Sequence, residues 1–157
     1  MTKITRSTTI YVPVEKLFEF IDSPERVGVF SIGVSRVRDV KRSEGVGDVM
    51  TLTYSVLGMH FDEKFTYVEY EKPTRLVSTV QGPLTGTFRV TLIPEASNQT
   101  SATLEVEYEM ATTLQRAVNK LMLESMNEKN LDRTLENIKR MAESELTFNR
   151  KNPAAIA

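Results

Sequence analysis

The chain has 157 residues, 40% hydrophobic and 26% charged, a composition suited to one globular domain that buries roughly 70% of the surface its unfolded form exposes. Twenty Lys and Arg against 21 Asp and Glu leave a net charge of -1, which gives no electrostatic reason to expect nucleic acid or an anionic membrane as partner. There is no cysteine, which excludes disulfides, thiolate catalysis and sulfur-ligated metals.

Residues 3–12, KITRSTTIYV, are rich in Ile, Thr, Val and Tyr and predict a strand. The same N-terminus lacks the apolar core of a signal peptide, and no segment approaches a membrane span, so a cytoplasmic protein is expected. Val12-Pro13 ends the strand, and VEKLFEFI (14–21) sets Leu17, Phe18 and Ile21 at helical spacing. Ser23-Pro24-Glu25 restarts the pattern as a second short helix to about Phe30, with Ser23 as the expected cap.

From 32 to 110, six extended runs are separated by Gly45 to Asp48, Gly58, Lys72-Pro73, Gly82-Pro83 and Pro94 to Asn98. Short turns between successive strands predict an antiparallel meander. In the last run Ala102, Leu104, Val106, Tyr108 and Met110 alternate with Thr103, Glu105, Glu107 and Glu109, so one face is buried and the other wet. Beyond 110 the pattern is helical. Thr112 and Gln115 form a capping-box pair, and no Gly or Pro follows until Pro153, which predicts one helix of about 30 residues. The expected product is an α+β fold: a curved seven-stranded antiparallel sheet, two short helices and a long C-terminal helix. It forms a single domain over 1–147, with 148–157 as a flexible tail.

Several words in this order resemble the SRPBCC superfamily, also called START-like or helix-grip. TIYVPVEKLFEFIDSPERVGVF (9–30) is similar to its opening strand and helices, EGVGD (44–48) to its glycine turn, and VEYEKPTRLVSTVQG (68–82) to its V-x-E-x-x-P hairpin. QTSATLEVEYEM (99–110) resembles the strand with its g-T-x-l motif, and LENIKRMAE (135–143) the ending of the polyketide cyclase/dehydrase-like branch. The resemblance implies a cavity between sheet and long helix that holds an apolar or aromatic small molecule, lipid-, quinone- or polyketide-like. The sequence departs from the better-defined branches: it has no Rieske-type Cys and His ligands and no catalytic motif that maps residue by residue, and no cofactor is expected. An enzyme of the cyclase/dehydrase type and a protein-interaction domain with a filled core are the alternatives. The oligomeric state is left open.

In MHFDEKFTYV (59–68), His60, Asp62, Lys64 and Thr66 share one parity and Met59, Phe61, Phe65 and Tyr67 the other. The polar set reads as the wet face. His60 is the only histidine, so no metal site is expected. Glu63 falls among the aromatics, where a carboxylate would be desolvated and act as an acid or a ligand-orienting acceptor; the commoner outcome is a bulge that turns it outward, or a place at the rim.

In the long helix, Leu114, Val118, Leu121 and Met122 make an apolar stripe interrupted by Ser125, Glu128 and Asp132. These three would meet a ligand's polar end if they faced the cavity. The plainer arrangement drifts the stripe toward Met126 and Leu131 and leaves the acids in water. Catalytic candidates are therefore Glu63 and Glu128. Ligand-binding candidates are Phe30, which the family places near the pocket mouth, with Tyr54, Phe61, Glu63, Phe65, Phe88, Val90, Tyr108, Met122, Ser125 and Met126.

Overall fold

In the computed structural model, which describes residues 1–156, the chain begins with strand β1 (Thr2–Ile10) and continues through helices α1 (Val14–Ile21) and α2 (Pro24–Phe30). Six strands follow: β2 (Val34–Lys41), β3 (Val49–Val56), β4 (Met59–Glu71), β5 (Arg75–Gln81), β6 (Leu84–Ala96) and β7 (Gln99–Met110). They form one antiparallel sheet in the order β1-β7-β6-β5-β4-β3-β2. From β2 onward each strand lies beside its sequence neighbour, as short turns require. The exception is β1, which closes against β7 with Ile4 opposite Val106.

One face of the sheet is apolar because the strand pattern has period two. Leu52 and Val56 of β3, Leu104 and Tyr108 of β7, and Val90 and Leu92 of β6 are all buried on it. In β4 the register slips between Tyr67 and Glu69, so two residues there oppose one on β5. The bulge lies beyond Glu63, not before it. Phe61, Glu63, Phe65 and Tyr67 therefore keep one parity toward the helices, and Tyr70, three residues after Tyr67, joins them.

The two short helices pack Leu17, Phe18, Ile21, Val27 and Phe30 into the core. Pro24 opens α2 as expected. Ser23 occupies the cap position without bonding a backbone N–H, and its hydroxyl goes to the Glu25 carboxylate (2.9 Å).

The C-terminal helix departs from the single element expected. A first turn and a half, α3 (Thr112–Ala117), stops at an extended Val118, and α4 (Lys120–Lys151) starts anew. The new start is capped by Asn119, whose Oδ1 accepts from the N–H groups of Leu121 (2.9 Å) and Met122 (3.2 Å). No side chain caps α3; Gln115 donates instead to the Met110 carbonyl (2.9 Å). The break lets Val118 turn into the core and resets the helical phase. Leu121 and Met122 are thereby exposed, at 74% and 53%, while Leu123, Leu131, Leu135, Ile138 and Ala142 are buried. Each fully buried Leu or Ile on this face contributes about 1.5–3 kcal/mol. The helix also continues to Lys151, past residue 148 where a tail was expected.

Candidate functional site

Where α4 crosses the sheet, the two layers do not interdigitate fully. A cavity of about 200 Å³ remains between them. Its walls come from every layer: Phe30 and Val27 of α2, Leu52 and Tyr54 of β3, Phe65 of β4, Phe88 and Val90 of β6, Tyr108 of β7, and Leu131 and Ile138 of α4. Most of this lining is apolar or aromatic, so desolvating a polar ligand here would be costly and an apolar one would gain.

Two amides of the helix meet the sheet across this space. Asn127 and Asn130 lie on the inner face of α4, in phase with Leu123, Leu131 and Ile138. The Tyr54 hydroxyl donates to Asn127 Oδ1 (2.5 Å) and accepts from Asn130 Nδ2 (2.9 Å), while Asn127 Nδ2 donates to the Tyr108 hydroxyl (2.9 Å). This chain ties β3 to β7 through the helix. Burial raises the Tyr54 phenol, with nearby Tyr108 and Glu63 adding to the rise against the Asn130 hydrogen bond; burial likewise raises Tyr108. Both tyrosines therefore remain neutral hydrogen-bonding groups at neutral pH.

The loop between α2 and β2 is tied to the same helix. Ile32 N–H donates to Thr134 Oγ1 (3.0 Å), and Asn137 Nδ2 donates to the Phe30 carbonyl (3.2 Å). Gly33 in this loop has φ +90°, and a Cβ there would stand 2.6 Å from the Tyr54 ring and 3.2 Å from Asn130 Nδ2. Only glycine suits both its conformation and its closeness to the Tyr54–Asn130 pair.

Glu63 is the buried acid of the cavity wall. It is 3% exposed, with Oε1 accepting from the Leu84 N–H (2.7 Å) and Oε2 lacking a hydrogen-bond partner among the described residues. Burial pushes its carboxyl from 4.5 to about 7, with the Leu84 hydrogen bond pulling the other way. Such a group holds a proton about half the time near neutrality.

A second buried polar cluster adjoins the cavity through Tyr67. Asp22, at the end of α1, accepts from the hydroxyls of Tyr67 (3.0 Å) and Tyr70 (2.5 Å) and from Arg42 (2.8 Å). Burial first, and then Asp22, push both phenols well above their ordinary value, so they stay as donors. Arg42 also lies 3.5 Å from Asp48, whose Oδ1 accepts from the Ser43 N–H (2.7 Å) and Oδ2 from the Gly45 N–H (3.2 Å). This network fastens α1 and the β2–β3 loop to the sheet; within it the buried Arg42 Nε has no hydrogen-bond partner among the described residues.

Of the residues expected from sequence, Phe30, Tyr54, Glu63, Phe65, Phe88, Val90 and Tyr108 come together at the cavity. Phe61 stands beside it, edge-on to Tyr54 at 5.5 Å, and does not line the wall. Met126 packs against the core outside the lining. Met122 and Ser125 are exposed because the break at Asn119 rotates them away. Glu128 is exposed as well, 3.9 Å from Arg6, whose Nε bonds Asp132 at 2.6 Å; this ion-paired surface removes Glu128 from the catalytic candidates. His60 lies on the wet face, its Nδ1 2.6 Å from Ser55 Oγ, and Asp62 beside it is bonded by Thr53 and Arg38.

Asn127, Asn130, Thr134, Ser78 and Tyr67 line the cavity without having been expected there. Asn127, Asn130 and Thr134 did carry a signal, their helical spacing from Leu123, but a stripe phased on Leu121 and Met122 conceals it.

The family described as polyketide cyclase/dehydrase and lipid transport matches residues 1–143. Among solved structures, the Zhui aromatase/cyclase of a Streptomyces species is similar at TM-score 0.80 and 12% identity, over 92% of this chain and 95% of that one. A protein of Thermus thermophilus is similar at 0.78 and 14%, over 92% and 99%. A START superfamily protein of Mycobacterium smegmatis is similar at 0.73 and 10%, over 90% and 97%. At such identities the likeness concerns the fold. No curated protein matches the chain.

Proposed function

Because the chain belongs to the polyketide cyclase/dehydrase and lipid transport family, with the helix-grip fold of the START-like proteins, we propose that it binds one apolar or aromatic small molecule between sheet and α4. The observation that carries this reading is the cavity itself, apolar over most of its wall and bounded by both layers. At about 200 Å³ it is only modestly larger than the engineered cavity of about 150 Å³ that accommodates benzene, and below the roughly 300 Å³ where drug-sized sites begin. Compact ligands of one or two rings fit it better than a sterol or a long acyl chain. Affinity would come from apolar area removed from water, at about 25 cal/mol per Å².

Glu63 favours a second reading, a cyclase/dehydrase-type enzyme with this carboxyl as general acid or base. A group raised to about 7 and set in the cavity wall has the protonation balance such work needs. The open volume weighs against an interaction domain with a filled core.

Native mass spectrometry of the purified protein, followed by organic extraction, tests the binding reading. The expected result is a defined adduct identified as a compact apolar molecule, or uptake of one from a panel of flat aromatics, quinones and fatty acids. A protein that comes bare and takes up none of the panel overturns it. Turnover of the captured molecule that Glu63→Gln abolishes while binding persists would move the assignment to the enzyme reading.

A further inference from the structure

A serine interrupts the apolar run on the inner face of β5. Ser78 lies on the fourth strand of the seven, and it faces the cavity: its cross-strand partners Tyr67 and Phe88 and its same-face neighbours Leu76 and Val80 all line the wall. The residue is 4% exposed. Of the buried polar side chains of the wall, Ser78 alone makes no hydrogen bond among the described residues, for Glu63 accepts from Leu84, Thr134 from Ile32 and Tyr108 from Asn127. Nor is its oxygen sealed by its neighbours, as Glu63 Oε2 is under the β5–β6 turn against Gly82. In the middle of the sheet, with a paired strand on either side, the space that this hydroxyl opens onto is the cavity.

We propose that Ser78 anchors the ligand of this cavity, its hydroxyl donating to an uncharged oxygen, the carbonyl or hydroxyl of a compact aromatic molecule. This rests on the binding reading above. A hydroxyl set among Leu76, Val80 and Phe88 needs a partner, and a hydrocarbon that displaces water from it supplies none. A ligand oxygen restores that hydrogen bond inside an otherwise apolar floor. An anionic oxygen would lack a countercharge, since the described wall contains no Lys, Arg or His. The anchor also fixes orientation. With the oxygen held on β5, the rings lie toward Leu131 and Ile138 of α4, which form the opposite wall.

Isothermal titration with tetralone and tetralin, one skeleton with and without a ketone, tests this on the wild type and on Ser78→Ala. The ratio of tetralone to tetralin affinity is expected to fall about tenfold in the alanine variant, through weaker tetralone binding, while tetralin binds as well or better. Ser78→Thr and Ser78→Val, which differ from each other by a hydroxyl in place of a methyl, repeat the comparison at constant shape. Threonine should keep the higher ratio and valine lose it. Thermal unfolding checks that each variant folds; if the alanine variant does not, the threonine–valine pair decides. The infrared carbonyl band of bound tetralone should lie lower in wild type than in Ser78→Ala, because an accepted hydrogen bond weakens the C=O bond. Equal affinity ratios with and without the hydroxyl, or a carbonyl band that does not move, overturn the anchor and leave apolar binding standing. Failure of both ligands to bind wild type overturns the binding reading and this proposal together.

Discussion

At the scale of single residues, the Glu63 carboxyl, raised from 4.5 to about 7, binds more protons in the native than in the unfolded chain between those values. Unfolding is therefore hardest at and below the unfolded value, and stability is lost as pH rises toward and through 7. At 1.36 kcal/mol per unit the loss is about 3 kcal/mol. Urea unfolding at about pH 5 and about pH 8 should show this fall in the wild type and its absence in Glu63→Gln, the other carboxylates cancelling in the comparison. Identical pH profiles for the two proteins would contradict a desolvated Glu63. Glu63's place among Phe61, Phe65 and Tyr67 was legible from alternation in β4. That its carboxyl stays inside was not, because a bulge anywhere before it would have reversed the parity, and bulge positions depend on pairing across strands.

At the scale of elements, the break between α3 and α4 matters most. Nothing as conspicuous as glycine or proline marks it. Asn119 is a good cap but also an ordinary helix-surface residue, and Leu114 and Val118 continue smoothly into Leu121 and Met122 on a helical wheel. The alternative wins because Val118 is buried at 4% by leaving the helix, while the Asn119 side chain satisfies the exposed N–H groups of the new start. Asn119→Ala should accordingly cost about 1 kcal/mol in urea unfolding, and Asn119→Gly only a few tenths. An alanine variant as stable as wild type would mean that Val118 burial alone sets the break. The phase fixed here places Asn127, Asn130 and Thr134 inward and turns Met122 and Ser125 to solvent.

At the scale of the molecule, ligand binding and folding are linked. A compact aromatic ligand held at a hundred times its dissociation constant stabilises the folded state by about 2.7 kcal/mol, which for a domain of this size raises Tm by roughly 5–10 °C. Val106→Trp, which directs a large ring from β7 into the cavity, should fold with native circular dichroism at a cost of about 1–3 kcal/mol and lose this response. A variant that keeps the full thermal shift would place the ligand elsewhere on the molecule.

The order of elements, the antiparallel meander and the apolar face of β7 follow from local chemistry: Pro and Gly punctuation, alternation at period two, and apolar spacing in the short helices. Those rules act between near neighbours, so the sequence alone determined the architecture, whereas a cavity with Phe30 near its mouth was what the family resemblance implied. The tertiary structure decided which side chains meet across the space between sheet and helix. Tyr54, Tyr108, Asn127 and Asn130 are joined over as many as 76 positions, and Asp22 gathers Tyr67, Tyr70 and Arg42. Such contacts depend on helix phase, bulge position and the packing of two layers, each a balance among distant groups that no local window contains.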